Sequence, residues 1–223
     1  ADQTFTITVT DVNDVPVFTK GANESILEDA GAQTVVGWAT AISKGPTNES
    51  GQTLTFNIAN DNNPLFLVQP SVDEATGTLT YTPAANINGS ATVTISLSDD
   101  GGTANGGVDT SADQTFTITV TDVNDVPVFT KGANETVLED PGPQTIIGWA
   151  AGISKGPANE SGQTLTFNIA NDNNALFSAQ PTVDETTGTL TYTPAGNING
   201  LATVTISLSD DGGTANGGGD TSA

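Results

Sequence analysis

The sequence predicts an all-β protein made of two tandem antiparallel β-sandwiches, and three observations support this prediction. Apolar and polar residues alternate with a period of two in several segments, among them 5–9, 54–58 and 93–97. No segment shows a sustained helical period. The sequence also repeats itself after 111 residues, with 95 of 112 aligned positions identical. That period is the size of an independent domain and exceeds the roughly 20–50 residues of a solenoid repeat.

Seven strands are predicted in each repeat, separated by turns rich in Gly, Asn and Asp. Short strands at this spacing are typical of a Greek-key β-sandwich of the immunoglobulin type. In the first repeat the predicted strands span 16–20, 33–42, 53–59, 65–69, 78–82, 91–98 and 113–121. We expect the aromatic core of this repeat to contain Trp38, Phe56, Phe66, Tyr81 and Phe116.

The hexapeptide DVNDVP at 11–16 marks a boundary between domains, and it recurs at 122–127. A proline has a fixed φ angle and extends the residue before it, which suits a short, stiff linker. We therefore expect one domain at 16–122 and a second at 127–223.

This division makes residues 1–10 the last strand of a preceding repeat, and it leaves the second domain without its own last strand. A strand slot that is empty exposes backbone donors and acceptors and tends to recruit a strand. We therefore expect head-to-tail donation of 1–10 to the next copy. A rival division into 1–111 and 112–222 would instead make that strand the first of each domain.

The composition excludes several classes of function. Four Lys and no Arg oppose 26 acidic residues, giving a net charge of −22, so the surface should repel nucleic acid and anionic lipid. Since the chain has no His and no Cys, imidazole-based triads and Cys/His zinc sites are absent. No apolar run approaches the roughly 18 residues of a membrane span, so we expect no membrane insertion.

Several motifs resemble those of a known family. The segment TDVNDVPVF at 10–18 resembles the acidic linker of cadherin repeats, although it is one residue shorter before the proline. The acidic pair at 28–29 and the acidic loop at 98–102 are also similar to cadherin features. The segment GTLTYTP at 77–83, followed by Asn88-Gly89, resembles bacterial cadherin-like tandem repeats of large surface adhesins. The resemblance covers essentially the whole chain and implies cadherin-like sandwiches.

The resemblance also implies calcium, which prefers six to eight hard oxygen ligands. In cadherins, loops of both flanking domains complete the site at the linker. Carried over to the internal junction, the implied ligands are Asp122, Asn124, Asp125, Glu28, Asp210 and Asp211, with Glu160 as a weaker candidate. At the N-terminal junction they are Asp11, Asn13, Asp14, Asp99 and Asp100, with Glu49 less strongly implied. Glu139 would serve a further junction with a neighbouring repeat of the same protein.

Two acidic motifs of the family are altered here. The segment 82–86 reads TPAAN where an acidic motif is expected after the fifth strand, and 42–44 reads ISK where another is expected. We therefore expect one or two calcium ions per junction. The alternative is that the acids form only a solvated loop surface, although the charge of −11 in each repeat favours a bound cation.

Two functions remain for such a chain, and neither is enzymatic. The first is a calcium-stiffened extender in a large bacterial cell-surface or secreted adhesin-type protein. The second is a recognition module that binds glycans or makes homophilic cell–cell contacts. Nearly identical copies favour the extender, because a spacer needs only length and stiffness. Millimolar extracellular calcium would fill weak sites, so we expect an extracellular location.

Overall fold

The computed structural model describes residues 1–222 and contains two compact units, which divide the chain between Asp122 and Val123. Both units consist of β-strands with a few short 3₁₀ turns, so the predicted all-β sandwich class is confirmed. Within the described residues, no helix has the length and apolar character needed to cross a membrane.

The first unit has nine short strands, in two main sheets and a small pair. A four-stranded sheet has the order β2-β9-β8-β5, a three-stranded sheet has the order β3-β7-β6, and β1 pairs with β4. The strands are β1 (Val17–Thr19), β2 (Glu24–Leu27), β3 (Gln33–Val35), β4 (Thr40–Ser43), β5 (Leu54–Asn60), β6 (Phe66–Val72), β7 (Leu79–Pro83), β8 (Gly89–Asp99) and β9 (Gln114–Thr121).

Alternation of apolar residues explains the core of this unit. Along β8, every second side chain from Ala91 to Leu97 is fully buried, and β9 buries Phe116 in the same manner. The ring of Phe116 packs against Trp38, with 4.3 Å between centroids. The five aromatic residues predicted for the core are all buried.

Two details of the strands differ from the prediction. The predicted strand 33–42 is divided into β3 and β4, because the chain turns at Gly37, where φ is +64°. The strand β2 was not predicted, because it pairs in parallel with β9, about 90 residues further along the chain. Such pairing depends on a distant partner, so it leaves little signal in the local sequence.

The second unit contains seven strands and is a shorter version of the first. They are β10 (Val128–Thr130), β11 (Gln144–Ile146), β12 (Ala151–Ser154), β13 (Thr166–Asn171), β14 (Phe177–Val183), β15 (Leu190–Pro194) and β16 (Val204–Ser209). Within the described residues this unit has no counterpart of β9 or of its neighbour β2. Its strand β16 covers only six residues, whereas the equivalent β8 covers eleven.

A candidate cation site formed by linker and loop oxygens

The linker residue Asn13 is packed into the first unit, with only 8% of its surface exposed. Its Nδ2 donates to Asp99 Oδ1 at 2.8 Å and to the carbonyl oxygen of Val108 at 2.9 Å. Its Oδ1 accepts from Gln52 Nε2 at 2.5 Å. The linker is therefore fastened to the end of β8 and to two loops, because a buried amide must satisfy its hydrogen bonds.

The carboxylate of Glu49 lies beside the next linker residue. Glu49 ends the 3₁₀ turn Thr47–Glu49 and is 2% exposed, and its Oε1 accepts from the backbone N–H of Asp14 at 2.6 Å. A Cβ at Gly45, where φ is +122°, would stand 1.8 Å from Glu49 Oε2. The glycine therefore leaves room for this buried carboxylate.

Three oxygen atoms of this cluster are buried and accept no hydrogen bond. They are Glu49 Oε2, Asp99 Oδ2 and Gln52 Oε1. Burying a carboxylate without a partner costs free energy unless a cation or a donor compensates for the charge. Within residues 1–222, however, no three carboxylates converge into a ready-made metal-binding group. A cation here would have to use amide or backbone oxygens as well.

Two further acids of the N-terminal junction lie at the exposed rim of the cluster. Asp11 Oδ1 accepts from Asn48 Nδ2 at 3.0 Å. Asp100 Oδ1 accepts from the backbone N–H of Thr53 at 2.8 Å, and this hydrogen bond holds the pKa of Asp100 below its usual value. The Asp100 carboxylate therefore remains charged at neutral pH.

The same arrangement recurs in the second unit. Asn124 Nδ2 donates to Asp210 Oδ1 at 2.9 Å, and Gln163 Nε2 donates to Asn124 Oδ1 at 2.5 Å. The backbone N–H of Asp125 donates to Glu160 Oε1 at 2.5 Å. Asp210 Oδ2 and Gln163 Oε1 are buried and accept no hydrogen bond.

At the rim of this second cluster, Asp211 Oδ1 accepts from the backbone N–H of Thr164 at 2.7 Å. This hydrogen bond lowers the pKa of Asp211, just as the equivalent bond does for Asp100. The cluster is thus a property of the repeat, since it is formed twice from equivalent residues.

Two other predicted ligands lie at the opposite end of the first unit. Glu28 is buried, and its backbone N–H donates to the carbonyl oxygen of Thr121 at 2.9 Å. Asp122 Oδ1 accepts from Asn88 Nδ2 at 2.9 Å. Because β9 separates this end from Asn13, the two sets lie about 25 Å apart. Glu139, the equivalent of Glu28, is exposed in the second unit.

Each cluster contains one residue that the sequence analysis did not predict and one that it gave only as a weaker candidate ligand. Gln52 and Gln163 were not among the predicted ligands, although each contacts the linker asparagine. Glu49 and Glu160 were weaker candidates but are among the most buried acids. The spacing N-E-S-G-Q, present in both repeats, is the signal that could have identified both residues.

No protein-family model matches the chain, and no curated protein matches it. Two solved structures of human protocadherin-24 EC1-2 are similar in fold. The first has a TM-score of 0.41 at 17% identity and covers 94% of this chain and 93% of its own. The second, Form II, has a TM-score of 0.39 at 20% identity and covers 89% and 87%. Both TM-scores are below 0.5.

Proposed function

We propose that the chain is a tandem extender module of a large bacterial cell-surface or secreted adhesin-type protein, and that calcium stiffens its linkers. In this proposal the module is extracellular and not enzymatic. Each repeat binds calcium with its linker residues and with the loops that the linker contacts. The ion holds the linker in place against the sandwich, so the repeats act as a spacer.

The observation that carries the proposal is the burial of carboxylate oxygens without donors. Asp99 Oδ2 and Glu49 Oε2 are both buried and accept no hydrogen bond, and Asp210 Oδ2 repeats the pattern in the second unit. In the first unit Lys44 Nζ donates to the carbonyl oxygen of Ser50 at 3.3 Å, and its charge acts on the rim carboxylate of Asp100. A hard divalent cation would supply the missing positive charge and accept these oxygens as ligands.

The other oxygens of the cluster suit the same ion. Calcium accepts amide and backbone carbonyl oxygens in addition to carboxylates, and it tolerates irregular geometry. Gln52 Oε1 is buried without a donor, and Asn13 Oδ1 lies beside it. The residues that would hold the ion in the first unit are therefore Asn13, Glu49, Gln52 and Asp99, with Asp11, Asp14 and Asp100 at the rim.

The role of a spacer is supported by the near identity of the two clusters and by the burial of the aromatic side chains of residues 16–122. A recognition surface is usually enriched in exposed aromatic side chains. Trp38 and Tyr81 are instead buried at 5% and 1% exposure. Tyr192, the equivalent of Tyr81, is 8% exposed.

A calcium titration of EDTA-treated protein tests the proposal through the isosteric double substitution Asp99→Asn with Asp210→Asn. The new amide keeps the Oδ1 acceptor that Asn13 and Asn124 use, so the loops should stay folded. We expect calorimetry to show calcium binding to the wild-type chain and a loss of at least tenfold in affinity for the variant. Asp113→Asn, which removes an exposed carboxylate of the same chain, is the matched control and should bind as the wild type does.

The wild type and the double variant should also differ in stability, and the sign of the difference should depend on whether calcium or EDTA is present. Ligand that binds only the folded state stabilises by RT ln(1 + [L]/Kd), about 2.7 kcal/mol at a hundredfold excess over Kd. The wild type should therefore be the more stable protein in calcium. In EDTA the variant should be at least as stable, because it no longer buries an unpaired charge. Equal calcium binding by wild type and variant would contradict the proposal.

A further inference from the structure

The sequence contains Asn-Gly dipeptides at 88–89, 105–106, 199–200 and 216–217. The side-chain amide of such an asparagine is lost without an enzyme when the next backbone nitrogen reaches it, and a glycine has no Cβ to shield that nitrogen. In the first unit, both dipeptides are exposed. They differ in backbone conformation and in hydrogen bonds, so the structure distinguishes their reactivity.

The dipeptide Asn88-Gly89 is held by the sheet. Gly89 begins β8 and lies opposite Val120 of β9. The side-chain Nδ2 of Asn88 donates to Asp122 Oδ1 at 2.9 Å. Reaction at Asn88 therefore requires the end of β8 to open locally.

The dipeptide Asn105-Gly106 lies instead in the exposed 3₁₀ turn Ala104–Gly106, outside every strand. A Cβ placed on Gly106 would meet no atom within 4 Å, so the space around this glycine is open. Asn105 has a φ of +56°, which asparagine tolerates at some cost in free energy. Its Nδ2 donates to the carbonyl oxygen of Asp11 at 3.4 Å, a longer contact than that of Asn88. The turn therefore restrains the reacting groups less than the sheet does.

We propose that Asn105 is a site of spontaneous deamidation. The backbone nitrogen of Gly106 attacks the side-chain Cγ of Asn105, and the new N–Cγ bond closes a cyclic imide. The Cγ–Nδ2 bond breaks, and Nδ2 leaves as ammonia with the proton of the Gly106 N–H. Water then opens the ring at either carbonyl and leaves aspartate or isoaspartate. The reaction consumes only water and requires no bound ion.

The product places a new carboxylate at the rim of the Asn13 cluster. The amide of Asn105 donates to the carbonyl oxygen of Asp11, whereas an ionised carboxylate has no proton to donate. The same loop contacts the linker through the backbone N–H of Val108, which donates to the carbonyl oxygen of Asn13 at 3.1 Å. Deamidation therefore removes one hydrogen bond between this loop and the linker and adds a negative charge beside it.

Incubation of the folded chain in mildly alkaline buffer, followed by peptide mass mapping, tests the assignment. The peptides of the two units differ in mass, because Val108 is replaced by Gly219 and Ser90 by Leu201. We expect Asn105 to deamidate at least about tenfold faster than Asn88, since an opening free energy of about 1.4 kcal/mol already slows the reaction tenfold. Isoaspartate should accompany aspartate at position 105.

Two controls separate the effect of the fold from that of the dipeptide. In guanidinium chloride the two rates should converge, because the unfolded chain presents the same dipeptide at both positions. Asn105→Gln keeps an amide donor in the folded chain, but its imide needs a larger ring and forms far more slowly, so position 105 should stay uncharged. Equal rates at Asn88 and Asn105 in the folded chain would overturn the proposal. So would an Asn105 that stays intact in the folded chain while the unfolded chain reacts.

Discussion

Replacement of Phe116 by alanine tests whether β9 completes the core of the first unit. The Phe116 side chain is 2% exposed, its ring packs on Trp38, and its backbone lies in register with the fully buried Val93. Truncation of a buried Phe to Ala costs about 3–5 kcal/mol, because it removes apolar burial and leaves a cavity. Domains of this size are stable by about 5–15 kcal/mol, so the first unit should lose a large share of its stability.

Phe5→Ala is the matched control, since Phe5 occupies in residues 3–10 the position that Phe116 occupies in the identical octapeptide 114–121. Phe5 is 85% exposed, so its truncation should change the free energy of unfolding by no more than about 0.5 kcal/mol in the monomer. The sequence context is the same in both substitutions. The difference in outcome therefore measures the tertiary environment alone.

The two tryptophans allow each unit to be followed separately by urea unfolding. A background with Trp149→Phe leaves Trp38 to report the first unit, and a background with Trp38→Phe leaves Trp149 to report the second. Phe116→Ala should lower the Trp38 transition by about 3–5 kcal/mol and leave the Trp149 transition unchanged. A cost below about 1 kcal/mol, or an equal cost for Phe5→Ala, would refute the assignment of 114–121 as the completing strand.

Two further predictions concern turns. Asp73 Oδ1 accepts from the Thr76 hydroxyl and backbone N–H, both at 2.7 Å, and these bonds lower its pKa. Its stabilising contribution is therefore present above the unfolded-state pKa and lost as pH falls through the lower folded-state pKa. Asp73→Ala should accordingly destabilise the first unit in urea unfolding at about pH 6, and its effect should shrink towards about pH 2; an effect independent of pH would contradict this. Gly77→Ala should cost more than Gly37→Ala in the same assay, since both have φ near +65° but only at Gly77 would a Cβ meet a backbone oxygen, that of Ala39, at 1.9 Å. Gly37→Ala should cost about 1–2 kcal/mol from its backbone conformation alone, and equal costs would contradict the steric reasoning.

Long alternating strands were the part of the fold that the sequence could predict. The strands β5, β8 and β9 follow the alternation of apolar residues, because one face of each strand lies in the core. The short strand β2 escaped prediction, because its four residues depend on a parallel partner supplied by β9. The second unit makes the same point, because residues 135–138 form no strand although they differ from β2 only conservatively.

The candidate site was predictable in its residue types and less so in its arrangement. The linker motif identified Asn13 and Asp14 directly, because acidic and amide oxygens are concentrated there. The burial of Glu49 could not be predicted, since it depends on a 3₁₀ turn that brings its carboxylate to the backbone of Asp14. The sequence did assign Glu28 and Asp122 to a different junction from Asn13, because the 111-residue repeat separates the two linkers.

Small-angle X-ray scattering of the EDTA-treated chain, before and after calcium is added, tests the central claim most directly. In EDTA the buried Asp210 Oδ2, whose carboxylate also accepts from Asn124 of the linker, has no cation to compensate for its charge, so the linker 122–127 should be mobile. Calcium should hold the linker against the loops of the second unit, and the maximum dimension should increase while its distribution narrows. An identical maximum dimension and distribution with and without calcium would contradict a calcium-stiffened extender.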